Sequence, residues 1–136
     1  MESIRYEFNN KIRFPPGSVR KTILPTTGYK RVTCIGSGFE KEAIAKLNIP
    51  SGSIIVRSNL STGGLRTDQV MVEKIKDLDG EIIDESEYRC TGYIYYSVIY
   101  KTGEITRPRE SLDTDINHTC TTGIHFFLTE KEAETY

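Results

Sequence analysis

The sequence predicts a mainly β (or α+β) fold: a compact antiparallel β-rich single domain with one or two short helices, one of them at the C-terminus. Three observations carry this prediction. Apolar residues recur at every second position over short runs, the period of half-buried strands. Turns containing proline or glycine separate those runs. No amphipathic pattern is long enough for the crossover helices that a parallel, doubly wound sheet requires. The 136 residues fit one domain. Eight tyrosines and five phenylalanines offset a hydrophobic fraction of only 37%.

Residues 1–28 read as an N-terminal arm or edge segment, and residues 29–136 as a single globular β-rich domain. In the arm, short alternating segments at 5–8 and 11–14 stop at Pro15-Pro16-Gly17, and Pro25 and Gly28 punctuate the rest of it. Strand character begins at 29–35 and leads into the turn Gly36-Ser37-Gly38. In 43–49, Ala43, Ala45, Leu47 and Ile49 share one side, with Lys46 and Asn48 opposite, which predicts a half-buried strand. A helix over 39–47 is the competing reading, because Glu and Ala are good helix formers. After the turn Pro50-Ser51-Gly52 come strands at 53–57 and 69–75, the latter with Val70, Val72 and Ile75 as core residues.

The strongest strand signal is 92–100, where Tyr93, Tyr95, Tyr96 and Tyr100, with Ile94, Val98 and Ile99, give high β-propensity. Thr102-Gly103 predicts a hairpin into a strand at 104–106, which Pro108 ends. Residues 111–117 form a polar loop. The last strand, 124–128, runs into Thr129, an N-cap candidate with Glu132 at capping-box spacing. The terminal helix is too short to stand alone, so Ala133 and Tyr136 are expected to pack it back on the strand.

Eighteen basic and nineteen acidic residues give a formal charge of -1. No global field therefore steers the chain to nucleic acid or to an anionic membrane. Lys101, Arg107 and Arg109 lie near the tyrosine-rich strand, but Glu104, Glu110, Asp113 and Asp115 dilute their charge, so nucleic-acid binding is not expected. The N-terminus lacks the apolar run of a signal peptide, and no apolar stretch is long enough to span a bilayer. Cys34, Cys90 and Cys120 are far apart and cannot all pair within one chain, which suits a reducing compartment.

His118, Cys120 and His125 form the one cluster of metal-like or nucleophile-like residue types. A metal site would need further ligands, such as Cys34, Cys90 or Asp115, and no Cys-x-x-Cys pair is present. Buried or rim packing is the simpler role, and His125 would point opposite to Ile124 and Phe126 in a strand. Ser61-Thr62-Gly63-Gly64, between Arg57 and Arg66, could hold an anion in successive amides, with an ordinary exposed turn as the plainer reading. Together His118, Cys120, His125, Arg57, Arg66, Arg107 and Arg109 make a speculative ligand or functional cluster. No catalytic residue, metal site or cofactor is assigned, and the sequence does not point to an enzyme.

Residues 98–136 resemble a family of uncharacterised domains of large double-stranded DNA viruses and some microbes, often attached to pentapeptide or other repeats. The matching residues are Val98-Ile99-Tyr100-Lys101, Gly103-Glu104, Pro108 and the acidic loop through Asp115. They continue through Cys120-x-x-Gly123-Ile124-His125-Phe126-Phe127, then Thr129, Glu132-Ala133 and Tyr136. Lys46-Leu47-x-Ile49-Pro50, Arg66, Val70 and Leu78-Asp79-Gly80 extend the similarity upstream, to about residues 29–136. The chain differs by lacking the repeats and by carrying the arm.

The resemblance implies a viral setting, in the host cytoplasm or the virion, and no established chemistry. It marks Gly123, Ile124, Phe126, Phe127, Thr129, Glu132 and Tyr136 as a structural motif. The strand Gly123-Ile124-His125-Phe126-Phe127 also has a distant similarity to ADP-ribosyl-transfer folds, without a His-Tyr-Glu constellation to go with it. The expected function is a non-enzymatic viral accessory or protein-interaction module, with a viral or host protein or a second copy as partner. The alternative is a small-ligand or nucleotide-binding module, hydrolytic or not, that uses the His118/Cys120/His125 region and nearby arginines.

Overall fold

The computed structural model describes residues 13–92 and 98–136. The described strands form two sheets. The first four strands are β1 (Ser18–Lys21), β2 (Thr26–Ile35), β3 (Glu40–Ile49) and β4 (Ile54–Arg57). Next come β5 (Leu65–Thr67), β6 (Val70–Asp77) and β7 (Arg89–Thr91). The last are β8 (Ile99–Tyr100), β9 (Ile105–Thr106) and β10 (Ile124–Phe126). A single described helix, α1 (Glu130–Thr135), closes the chain. The four-stranded sheet has the order β1-β4-β5-β10, the six-stranded sheet β8-β7-β2-β3-β6-β9, and every described pairing is antiparallel. The β-rich class, with one short C-terminal helix, is the one expected from the sequence.

The alternation in β3 does what its pattern predicts. Ala43, Ala45, Leu47 and Ile49 are all fully buried, and the helical alternative is lost because β3 is hydrogen-bonded on both edges, to β2 and to β6. Val70, Val72 and Ile75 are buried as expected. Their uneven spacing follows from a register shift between Lys46 and Leu47, where a bulge lets Val72 and Ile75 both face inward.

The six-stranded sheet is rolled. Laid flat, its outer strands would stand roughly 24 Å apart at ordinary strand spacing. Yet Thr106 Oγ1 in β9 donates to the Ile99 carbonyl in β8 at 3.1 Å. This seam replaces the expected hairpin between the two strands. β8 pairs with β7 and β9 with β6. The turn between them is held by Val72, which exchanges backbone hydrogen bonds with Gly103 and Glu104.

Three other expectations change. Tyr93, Ile94, Tyr95 and Tyr96 lie outside the described residues, and the flanks of that segment do not form one strand: Thr91 and Ile99 are cross-strand partners. The boundary expected at 28/29 falls inside β2, while Phe14 is buried in the core and β1 is the edge strand of the smaller sheet. Cys34 and Cys90, expected as separate thiols, face each other across β2 and β7 and form a disulfide. Strand order, with β7 beside β2, brings together positions 56 residues apart, which spacing along the chain does not reveal.

Candidate functional site: a cleft at the fork of β2

β2 pairs with β3 along its whole length on one edge. Its other edge is shared. Thr33, Cys34 and Ile35 pair with β7, whereas Tyr29 bridges to Phe127 just beyond β10. Lys30, Arg31 and Val32 lie where these two neighbours diverge. A cleft of about 670 Å³ opens there, and its walls include Lys30, Tyr100, Cys120, His125, Phe127 and Tyr136.

Strand parity turns Lys30 toward the core-facing side of β2, where it is half-buried at the cleft. Thr26, Gly28, Val32 and Cys34 are the buried even positions of β2, and Lys30 belongs to the same face. Its cross-strand partner is the fully buried Ala45. The ladder Cys34–Cys90–Tyr100 continues that face onto β8, which sets the Lys30 ammonium 5.8 Å from the centroid of the buried Tyr100 ring. Lys30 Nζ donates to the His125 carbonyl at 2.8 Å. Among the described residues no carboxylate stands within ion-pair distance of it. Burial alone lowers its pKa to about 8. Burial also pushes the Tyr100 phenol up, so it stays neutral.

His125 takes the orientation that alternation allows. Ile124 and Phe126 are buried in the core, and His125 points to the opposite face with its cross-strand partner Arg66. Its Nε2 lies 2.6 Å from the Thr121 carbonyl, an acceptor that requires the proton on Nε2. Burial lowers its pKa, the Thr121 bond opposes that, and the charges of Lys30 and Arg66 lower it further. The ring is therefore neutral near neutral pH.

Arg66 and His118 serve the loop beside the cleft. Arg66 is nearly fully buried, and all three guanidinium nitrogens donate to backbone carbonyls, of Asp113, Asp115 and His118. His118 is exposed, with Nδ1 2.7 Å from Asp113 Oδ2 and Nε2 3.7 Å from Asp115 Oδ2. Both ring nitrogens thus face carboxylates that hold the loop. Gly123 makes this packing possible: its φ is +139°, and a Cβ there would lie 2.7 Å from Leu112 and 3.2 Å from Arg66 Cβ.

Of the cluster expected from the sequence, Arg66, Arg109, Cys120 and His125 line the cleft, whereas Arg57, Arg107 and His118 do not. Arg57 donates to the Phe14 carbonyl and Arg107 to the Gln69 side chain. The Ser61-to-Gly64 turn folds on itself through Ser61 Oγ and the Gly64 carbonyl. The Glu132 carboxylate lies against Gly63, so that turn presents a negative group rather than an anion nest. Among the described residues, no group of three His, Cys, Asp or Glu side chains could hold a metal ion. Cys120 is a free, exposed thiol.

The C-terminal segment frames the remaining wall. Thr129 caps α1, accepting from the Glu132 amide at 3.3 Å and donating to Glu132 Oε1 at 2.8 Å. Ala133 is buried, Tyr136 packs against Phe127 with the ring centroids 5.3 Å apart and the rings tilted by 53°, and Arg31 donates to the Glu134 carbonyl. Lys30 is the residue sequence reasoning missed. Its shared parity with Val32 and Cys34 was the available signal: a charge at a core position of a strand.

Fold and cleft together define a small β-rich domain with a binding-sized cavity. Residues 10–133 match the model of a family of unknown function (DUF5758), and the chain belongs to that family. It is similar to Uncharacterized protein L796 of Acanthamoeba polyphaga mimivirus, at 33% identity over 129 residues, covering 93% of this chain and 84% of the relative. It is also 44% identical over 103 residues to Uncharacterized protein L223 of the same virus, covering 72% of this chain and 64% of that protein. Uncharacterized protein L812 is 31% identical over 144 residues, covering 93% and 90%. The family therefore occurs in a large double-stranded DNA virus. No solved structure matches the chain. No described helix is long and apolar enough to cross a membrane.

Proposed function

We propose that the protein is a non-enzymatic viral accessory module that works by binding, and that its binding site is the cleft at the fork of β2. The observation that carries this reading is a cavity of about 670 Å³ with aromatic walls and a half-buried lysine that has no acidic partner among the described residues. Cavities of that size suit a small ligand. Hydrolysis has less support, because neither histidine is paired as a general base beside a nucleophile: His125 contacts a carbonyl and His118 contacts two carboxylates. The Cys34–Cys90 disulfide favours the virion, or another oxidising setting, over the reducing host cytoplasm.

Cys120 offers a direct test, since its exposed thiol lines the cleft. Small molecules that stabilise the chain in a thermal-shift screen should lose that effect once Cys120 is alkylated with a bulky maleimide. A screen without hits, or hits indifferent to the alkylation, would sink the assignment.

Protein interaction or self-association is a second reading, favoured by the β1 edge. β1 pairs only with β4 among the described residues, and Val19, Ile23 and Leu24 beside it are exposed. A strict monomer in solution that retains nothing from infected-cell extract would remove this reading.

A further inference from the structure

We infer that the cleft recognises the anionic group of a small amphipathic ligand, a carboxylate or phosphate joined to an apolar body, with Lys30 as its anchor and Arg109 as a second cation at the rim. The inference rests on the cleft being the binding site and adds the chemical class of its occupant.

The cations that line the cavity differ in how fully they are engaged. Arg66 has committed its three guanidinium nitrogens to the carbonyls of the 113–118 loop. Arg31 is held by the Glu134 carbonyl and lies 3.5 Å from Glu42. Lys30 is different. It has three donors and one described hydrogen bond, to the His125 carbonyl. An ammonium on the core face of a strand carries a desolvation cost that a partner anion would remove. Arg109 stands exposed at the rim beside Glu110, where water screens both.

The remaining groups facing Lys30 do not compete for this role. Tyr100 on β8 stays a neutral phenol, and His125 on β10 stays a neutral imidazole whose Nε2 is engaged with Thr121. Arg66 on β5 adds positive potential at His125. Val98, Phe127 and Tyr136 supply apolar surface for the body of the ligand. A bare inorganic anion would leave that surface wet and most of the cavity empty, so the occupant carries both parts.

The lysine also predicts a pH signature. With a pKa of about 8 in the open cleft, Lys30 is charged near neutral pH and uncharged well above pH 8. Affinity for a carboxylate, which is itself ionised throughout this range, should therefore hold near neutral pH and fall on the alkaline side of 8. At about pH 9.5 only about 3% of Lys30 stays protonated, so most of the anion's margin over a neutral ligand should be gone.

Three probes of equal chain length decide the matter with the full chain: hexanoate, hexyl phosphate and the neutral hexan-1-ol. Titration calorimetry near neutral pH should show at least one anion binding about tenfold more tightly than the alcohol. Which anion leads tells a carboxylate ligand from a phosphate ligand. Lys30→Met, checked for folding by circular dichroism, should lose that margin while binding the alcohol as before. The alkaline weakening of the unmodified chain supplies a second measurement if the variant does not fold. Equal binding of alcohol and anions, or no alkaline weakening, would overturn the inference and leave the cleft as a neutral apolar site. Failure of all three probes to bind the folded chain would count against both the inference and the cleft itself.

Discussion

The guanidinium of Arg66 donates to the backbone carbonyl of His118 at 2.8 Å, across 52 residues of chain. Two further bonds, to the carbonyls of Asp113 and Asp115, complete a clamp by which one buried side chain on β5 holds the loop that borders the cleft. The loop adds its own ties. Asp113 accepts from the Asp115 amide, from His118 and from Thr121, and these bonds hold its carboxyl well below the usual carboxylate range.

Arg66→Met should therefore destabilise the fold by about 3 kcal/mol or more, because it strands three carbonyls that have lost a charged donor. Arg66→Lys should recover only part of this, since an ammonium cannot reproduce the planar fork. Urea denaturation of the two variants measures both effects. A midpoint for Arg66→Met equal to that of the parent would mean that water replaces the clamp at no cost.

The two histidines should titrate on opposite sides of the ordinary imidazole value of 6.5. The Asp113 hydrogen bond, followed by the charge of Asp115, raises the pKa of His118, so its contribution to stability is complete below 6.5 and disappears as pH rises through the raised value. Burial lowers the pKa of His125, so its contribution is complete above 6.5 and is lost as pH falls through the lowered value. An NMR titration of both rings checks the order. Asp113→Asn should bring His118 down and leave His125 in place.

Reduction of Cys34–Cys90 should cost stability. The bond joins residues separated by 56 positions, and chain entropy alone assigns such a loop about 4 kcal/mol at room temperature. The melting temperature should fall on adding reductant. A thiol assay on the folded, unreduced chain should detect Cys120 alone, and all three cysteines only after reduction. Three reactive thiols before reduction would contradict the pairing.

Gly28→Ala should destabilise by about 1–3 kcal/mol through overpacking. A Cβ at Gly28 would stand 2.6 Å from the Phe126 ring and 2.9 Å from Ile49 Cδ1. Both neighbours are buried, and Phe126 belongs to the strand whose next residue bridges to Tyr29. Pairing Gly28→Ala with Phe126→Leu should restore part of the loss, and equilibrium unfolding of the single and double variants tests this.

Local chemistry was legible wherever it depended on neighbours in the chain. The alternation of Ala43, Ala45, Leu47 and Ile49 marked the inner face of β3, and the Thr129–Glu132 spacing marked the start of α1. Even the opposed faces of His125 and its neighbours Ile124 and Phe126 follow from a period of two. The strand expected from 92 to 100 shows the limit. High β-propensity marked the segment, but propensity does not say that Thr91 and Ile99 pair with each other.

By itself, then, the sequence determined the β-rich class, the inward residues of single strands and the capped terminal helix, because those depend on periods and caps a few residues long. Tertiary structure decided the rest. Placing β7 beside β2 joined Cys34 to Cys90, and rolling the larger sheet turned an expected hairpin into the Thr106–Ile99 seam. The fork of β2 set Lys30 beside His125, and the buried position of Arg66 on β5 directed its guanidinium to the loop rather than to a ligand. Most of these contacts link residues distant in the chain, and all of them depend on strand order, which no local pattern encodes.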